Sequence, residues 1–292
     1  MTERKHDPGA LSIIQAQAAG AESLRSAGVI DPRLDAGSLL ARALRRDRTY
    51  VITHGNEPVT GEQLDRFRVL IARRAAREPL QYIIGYQEFF KLSFAVTPDV
   101  LIPRPETELI VEAALELADR ERSLSILDVG TGSGCIVISL LHELKKARAM
   151  ATDISPKALE VARRNAQRHN VSDRVTFMQA DSLAPLTQPA AFSLIVSNPP
   201  YIPAGEIATL QREVREHEPI TALASGADGL DHIRALLRET PRVLHHSGYF
   251  IFEIGFGQSD AIDQLVDRAI WHLIEVRKDL QGIPRTVVLQ KR

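Results

Sequence analysis

The chain has one cysteine, Cys135, and one tryptophan, Trp271. A single thiol excludes a disulfide framework and any zinc site built on several cysteines. His245-His246 has no carboxylate or Cys at ligand spacing, so no metal site is expected. Long apolar runs are also missing: none reaches the roughly 18 residues that a membrane-spanning helix needs. The opening Met1-Thr2-Glu3-Arg4-Lys5-His6-Asp7-Pro8 is too polar for a secretory leader. Neither sign of charge dominates. Lys and Arg number 36 against 37 Asp and Glu, a formal net charge of −1. No global field holds nucleic acid, so no stable nucleic-acid partner is expected. These absences lead to the expectation of a cytoplasmic protein with no membrane partner. Core-forming residues are plentiful: 44% of the 292 residues are hydrophobic, enough for two domains.

From about Gly9 to Pro79 the pattern is helical throughout. Ala10 to Ala27 is Ala-rich with Leu11, Ile14 and Leu24 spaced among polar residues. Asp31-Pro32 opens a second helix, with Asp as N-cap and Pro at the first helical position. Thr60-Gly61-Glu62-Gln63 is a capping box for a third, which runs to Arg77 and stops before Pro79. Arg66, Arg73, Arg74 and Arg77 cluster on it, either as a solvated face or as a docking surface. Between Gln81 and Pro103 the pattern changes to alternation with aromatics (Tyr86, Phe89, Phe90, Phe94), which predicts a β-hairpin. Three regions result: residues 1–80, 81–103 and 104–292. Two prolines make Leu101-Ile102-Pro103-Arg104-Pro105-Glu106-Thr107-Glu108 a stiff, extended segment, either a linker or a neighbour of the active site.

From Leu124 on, strands and helices alternate. Strands are expected at 125–127, 149–152, 175–178, 194–196 and 249–252, and two more at 272–276 and 285–289 have no helix between them. Such alternation predicts an α/β fold: a mostly parallel seven-stranded sheet with an antiparallel pair at one edge.

Asn198-Pro199-Pro200-Tyr201 follows the strand Phe192-Ser193-Leu194-Ile195-Val196-Ser197. The Pro pair cannot extend a ladder, so the tetrapeptide sits just past a strand's carboxyl end, where open α/β sheets bind ligands. Asn198 offers an amide oxygen, Pro199 a carbonyl on a stiff turn, and Tyr201 a flat face with a hydroxyl. This set suits a planar, conjugated NH2 group. Asp128-Val129-Gly130-Thr131-Gly132-Ser133-Gly134 ends another strand and opens a helix. Its spacing is G-x-G-x-G, with Cys135 where a dinucleotide fingerprint needs its third glycine, and it lacks the P-loop lysine. Pyrophosphate cofactors are therefore disfavoured. Asp153, at the next strand end, can bind both ribose hydroxyls. Asp181-Ser182 follows a third strand, within reach of an adenine amino group. Cys135 reads as a packing residue and Trp271 as a core or edge residue. Glu253 is either a cap or a pocket neighbour.

These motifs resemble those of class I S-adenosylmethionine-dependent methyltransferases, across roughly Leu124 to Leu289. The tetrapeptide narrows the resemblance to enzymes that methylate an amide or exocyclic amine nitrogen. The helical start, Ile102-Pro103-Arg104-Pro105-Glu106-Thr107-Glu108, Phe252-Glu253-Ile254-Gly255 and Lys278-Asp279-Leu280-Gln281-Gly282 extend it over nearly the whole chain. Together they resemble the release-factor glutamine methyltransferase family (PrmC/HemK). The resemblance implies a Rossmann-like methyltransferase domain behind a helical substrate-recognition bundle and a linking hairpin. It implies a substrate, the Gln of the Gly-Gly-Gln motif of class I peptide chain release factors, and the product N5-methylglutamine. It implies S-adenosyl-L-methionine as cofactor, leaving as S-adenosyl-L-homocysteine. By position, Gly130, Thr131, Gly132, Ser133 and Gly134 would line its methionine part and Asp153 would hold the ribose. Asp181 and Ser182 would lie beside the adenine, and Asn198, Pro199, Pro200 and Tyr201 would hold the glutamine amide, with Asn198 also near the cofactor. Asn198, Pro199 and Tyr201 would carry catalysis. Two other readings stand beside this one: methylation of an adenine or guanine amine in nucleic acid, and a non-catalytic adenosyl-binding protein.

Overall fold

The computed structural model describes residues 11–292 except 182, 184 and 187. The described chain divides into two compact units. One runs to Gly85 and takes in Gln211–His217; the other holds Tyr86–Leu210 and Glu218–Arg292. No described helix is long and apolar enough to cross a membrane.

The first unit is helical: α1 (Ile13–Ser26), α2 (Pro32–Leu44), α3 (Arg48–Thr53), α4 (Gly61–Ala75) and α5 (Leu80–Ile84). Capping boxes start two of them, Ser12 with Gln15 and Thr60 with Gln63. Such a cap satisfies backbone N–H groups that a helix start leaves without partners. Asp31 precedes Pro32 as expected, yet its side chain makes no cap bond. The short α3, capped by Asp47, is not evident in the sequence pattern. Leu24, Leu39, Leu40, Phe67 and Ile71 pack into one core. Of the arginine cluster, Arg66 and Arg73 keep to the solvated reading, while Arg74 and Arg77 do not. Arg74 is buried: its Nε donates to Asp35 Oδ2 at 2.7 Å and its Nη1 to Glu213 Oε1 at 3.0 Å. Arg77 donates to Glu213 Oε2 at 2.7 Å, Arg73 pairs with Glu78, and Arg66 with Glu62. Arg74 and Arg77 are spent on internal ion pairs because two carboxylates distant in sequence, Asp35 and Glu213, meet them from other helices. Glu213 belongs to a short helix met later in the chain.

The second unit opens with a hairpin, β1 (Tyr86–Phe89) and β2 (Leu92–Ala95). Its two-residue turn, Phe90-Lys91, has φ of 47° and 63°. A tight hairpin needs positive φ at both turn positions, which here fall on side-chain-bearing residues. Glu108 accepts from the Phe90 N–H at 2.8 Å and so helps hold the turn. Then come α6 (Glu108–Leu117), β3 (Ser125–Val129), α7 (Cys135–Glu143), β4 (Arg148–Asp153), α8 (Pro156–Arg168), β5 (Val175–Gln179) and β6 (Phe192–Ser197). The chain visits the first unit as α9 (Arg212–His217) and returns as α10 (Asp231–Val243), β7 (Leu244–Glu253), α11 (Ser259–Leu265), β8 (Trp271–Lys278) and β9 (Pro284–Lys291).

Seven strands form one sheet in the order β5-β4-β3-β6-β7-β9-β8. The first five are parallel; β9 runs antiparallel between β7 and β8. Side chains alternate between two cores. Ile126, Leu194, Val196, Ile251 and Val288 face α6 and α7, while Leu127, Ile195, Phe250, Phe252, Val287 and Leu289 face α10 and α11. A sheet buried on both faces reads as continuous apolar runs, as these strands do. Cys135 and Trp271 are both core residues.

One buried polar side chain fastens the hairpin to α8 and the glycine loop. Asn165, fully buried on α8, accepts from the Ala95 N–H at 2.8 Å. Its Nδ2 donates to the carbonyls of Ala95 (3.1 Å) and Ser133 (2.8 Å). Asn165→Ala strands three backbone groups, and an unmet buried group costs about 1–3 kcal/mol. Urea denaturation should show a loss of about 3 kcal/mol, and a loss under about 1 kcal/mol would refute the tethering role.

Candidate active site

The register of two strands builds the site. β3 and β6 are parallel neighbours, and their last residues, Val129 and Ser197, are partners. Ser197 Oγ donates to the Val129 carbonyl at 2.8 Å and closes the seam between the strand tips. The strand order reverses here, with β4 and β5 on one side of β3 and β6 and β7 on the other. Such a switch point opens a crevice beyond the strands' carboxyl ends. The glycine loop leaves β3 and Asn198-Pro199-Pro200-Tyr201 leaves β6, so they emerge side by side.

A cleft with about 990 Å³ of empty space lies there. Its wall includes Gly130, Gly132, Asp153, Asp181, Asn198, Pro199 and Pro200. Thr131, Ser133, Gly134 and Tyr201 stand outside that wall. Ser182 lies outside the described residues. The sequence reading did not anticipate the part of the wall formed by α10, including Leu236 and Glu239.

Within the loop, Gly130 and Gly132 have φ of +72° and +54°, and a Cβ on either would meet nothing within 4 Å. Their backbone faces open space, where a ligand can approach closely. Gly134 differs, since a Cβ there would lie 2.8 Å from Ile138 Cδ1, so this glycine serves helix packing. The N–H groups of Gly130 and Thr131 donate to the Thr152 carbonyl. Gly132 donates to Asp153 Oδ2 at 2.8 Å, and Ser155 donates to Oδ1 at 2.9 Å. Asp153 thus pins the loop to β4 while standing on the cleft wall. Burial raises its pKa, and the two N–H bonds oppose that rise. Each oxygen keeps a lone pair that a ligand hydroxyl can use. Asp181 is exposed on the same wall.

Asp128, at the tip of β3, is fully buried beneath the loop and not in the cleft wall. Its Oδ2 accepts from Thr131 Oγ1 at 2.6 Å, and its Oδ1 has no partner. Burial pushes this carboxyl up to about 7.

At the other wall, Asn198 Nδ2 donates to Thr107 Oγ1 at 3.0 Å. Thr107 Oγ1 donates to Glu253 Oε2 at 2.6 Å, and the Tyr201 hydroxyl donates to Glu253 Oε1 at 3.0 Å. Burial first, then the neighbouring Glu253, raise the Tyr201 hydroxyl, so it keeps its proton and cannot act as a base. Burial likewise pushes Glu253 up to about 7. Glu218, itself buried, accepts from the Ile102 N–H at 3.1 Å and from Arg104. The Pro-rich segment that ends at Thr107 is therefore anchored beside the site and is no plain linker. No described donor reaches the Pro199 carbonyl or Asn198 Oδ1.

Known proteins carry the same two-part layout. Residues 15–85 match the model of the PrmC N-terminal domain, and residues 106–216 match the methyltransferase small domain. Two relatives are release factor glutamine methyltransferases. The one from Koribacter versatilis is 41% identical, covering 96% of this chain and 99% of its own. The one from Bradyrhizobium diazoefficiens is 42% identical, covering 100% and 99%. The chain belongs to the release factor glutamine methyltransferase family. Among solved structures, ribosomal protein L11 methylase from Lactobacillus delbrueckii subsp. bulgaricus shares the fold at a TM-score of 0.50 and 22% identity, covering 71% of this chain and 90% of that one.

Thr107 and Glu253 are neighbours beside the cleft that the sequence alone could not join. They stand 146 residues apart, and no periodicity links them.

Asp128 gives a pH test. Its folded pKa is raised, so the carboxyl costs nothing below its unfolded value near 4 and destabilises increasingly as pH rises to about 7. The stability of Asp128→Asn relative to wild type should therefore climb between about pH 4 and pH 7 and level off above. Glu253 titrates in both proteins and cancels. Denaturant midpoints from pH 4 to 8 measure this; a difference independent of pH contradicts the assignment.

Proposed function

We propose that this chain methylates N5 of the glutamine in the Gly-Gly-Gln motif of class I peptide chain release factors, with S-adenosyl-L-methionine as the methyl source. The observation that carries this reading is the pair of open acceptors, Asn198 Oδ1 and the Pro199 carbonyl, on a cleft shared with the glycine loop. Two acceptors on consecutive residues suit the two N–H bonds of one primary amide.

The residues present fit the cofactor. Gly130 and Gly132 offer backbone that faces open space, and Asp153 offers carboxylate lone pairs on the wall. Ile154, Leu183 and Leu236 supply apolar surface for a flat base, and Asp181 stands at that wall. We assign the methionine end to the loop from Gly130 to Gly134, the ribose to Asp153, and the adenine to Asp181 and Ser182. When bound, S-adenosyl-L-methionine supplies a methyl group on a sulfonium and leaves as S-adenosyl-L-homocysteine.

The chain's own contribution is placement. An amide nitrogen is a poor nucleophile, and Tyr201 is no base. Asn198 and Pro199 would accept both amide protons and fix the nitrogen's direction. Holding two reactants in attack geometry can supply up to about 7–11 kcal/mol of barrier reduction. The two oxygen dipoles also favour the positive charge that grows on nitrogen, which then sheds a proton to water. Tyr201, its hydroxyl tied to Glu253, would offer its ring face to the amide. We further propose that the N-terminal helices recognise the release factor, a role supported by their separate core and their match to the family's N-terminal model.

Mass spectrometry of a class I release factor after incubation with enzyme and cofactor tests the substrate. One added methyl on the Gly-Gly-Gln glutamine is expected; label entering RNA or DNA instead would mean an exocyclic-amine substrate. Asn198→Ala should lower kcat by about two or more powers of ten, as loss of one aimed polar group does, while cofactor affinity falls far less. A normal single-turnover rate in that variant would remove Asn198 from the mechanism.

A further inference from the structure

We infer that Thr107 and Glu253 are positioning residues that set which end of the Asn198 amide faces the substrate. The inference rests on the proposed function above and deepens it.

A terminal amide carries an acceptor and a donor end of almost equal shape, and a half-turn exchanges them. For Asn198 the difference is decisive. With Oδ1 toward the cleft it accepts from a substrate NH2. With Nδ2 there it repels that NH2 and welcomes a carbonyl or carboxylate oxygen. The neighbours fix the choice. Thr107 is 2% exposed and its hydroxyl has a single proton. That proton goes to Glu253 Oε2 at 2.6 Å. Glu253 is 1% exposed, and its other oxygen is filled by the Tyr201 hydroxyl at 3.0 Å. While Glu253 is ionised, this proton is committed and Thr107 shows Asn198 only lone pairs. The Nδ2 end must therefore turn to Thr107, where it lies at 3.0 Å, and Oδ1 must turn away from it. Glu253 touches no open part of the cleft wall, so it acts through Thr107. The same relay makes the site selective. A glutamate in the glutamine's place would set carboxylate lone pairs against Oδ1 and the Pro199 carbonyl.

Backbone geometry holds the relay in place. Thr107 closes a single turn, Pro105–Thr107, with its N–H bonded to the Arg104 carbonyl at 3.1 Å. Glu253 ends β7, where its register partner is Thr286. Gln258 fastens Tyr201 by donating to its carbonyl at 2.9 Å.

The experiment compares wild type, Thr107→Val, Thr107→Ser, Asn198→Ala and the double variant Thr107→Val/Asn198→Ala. Single-turnover transfer of labelled methyl to a class I release factor is measured, together with cofactor Kd and Tm. Thr107→Val, equal in shape but without the hydroxyl, should slow transfer at least tenfold with cofactor Kd unchanged. Thr107→Ser should recover the rate to within threefold of wild type. In the Asn198→Ala background, Thr107→Val should cause no further loss, because its effect runs through that amide. Full activity in Thr107→Val, or no recovery with Ser, overturns the inference. A double variant slower by the product of the two single losses overturns it as well. A wild type that transfers no methyl to the release factor overturns the functional reading first, and the inference with it. Should Thr107→Val not fold, the wild type still decides. One Asn198 Nδ2 proton, assigned by its loss in Asn198→Ala, should exchange slowly with solvent, and rapid exchange of both would end the case.

Discussion

The pairing of Val129 with Ser197 across β3 and β6 is the constraint on which the rest depends. Two loops leave from those residues, and their relative position is inherited from the ladder behind them. A one-residue slip of register would invert every side chain of β6 between its two cores. Leu194 and Val196 fill one core and Ile195 the other, so the slip would expose apolar surface to the wrong packing partners. The large hydrophobic cores thus specify, at a distance, where a single amide sits.

The polar parts of the site are built on top of that ladder with almost no slack. Backbone N–H groups of the glycine loop are committed to Thr152 and Asp153, and the Ser133 carbonyl is held by Asn165. The opposite wall is committed through Glu218, Thr107 and Glu253. This rigidity carries a thermodynamic cost. Two carboxyls, Asp128 and Glu253, are fully buried and both are pushed up to about 7. Burying carboxyls is unfavourable unless hydrogen bonds offset it, and Asp128 retains one oxygen with no partner. The fold tolerates that cost beside the loop because the surrounding strands and helices bury so much apolar surface.

Much of this architecture was legible in the residues. Alternating strands and helices gave the sheet, Thr60 and Gln63 gave a helix start, and the Pro pair after Ser197 gave a strand end. These signals are local, and local rules read them. The main failures share one physical cause, which is that distant partners are invisible to local pattern. The four arginines of α4 and its end looked solvated or available, but Asp35 and Glu213 neutralise the inner ones. Asp31 had the right sequence for a cap, but its backbone geometry makes no side-chain bond. The site showed the same division. Gly130, Gly132, Asp153, Asp181, Asn198, Pro199 and Pro200 line one cleft, whereas the Thr107–Glu253 contact needed coordinates.

Glu213 has a consequence for how the gene could be cut. The helical unit looks like an autonomous module that ends at Gly85, yet α9 contributes to it from more than a hundred residues downstream. A fragment that stops at Gly85 would leave Arg74 with Asp35 alone and take from Arg77, largely buried, the one carboxylate it pairs with. Stranded buried charge is among the more destabilising defects a small bundle can carry. The modular boundary drawn along the sequence is therefore not a severable one, and insertion or swapping of this bundle would have to bring its remote acid along.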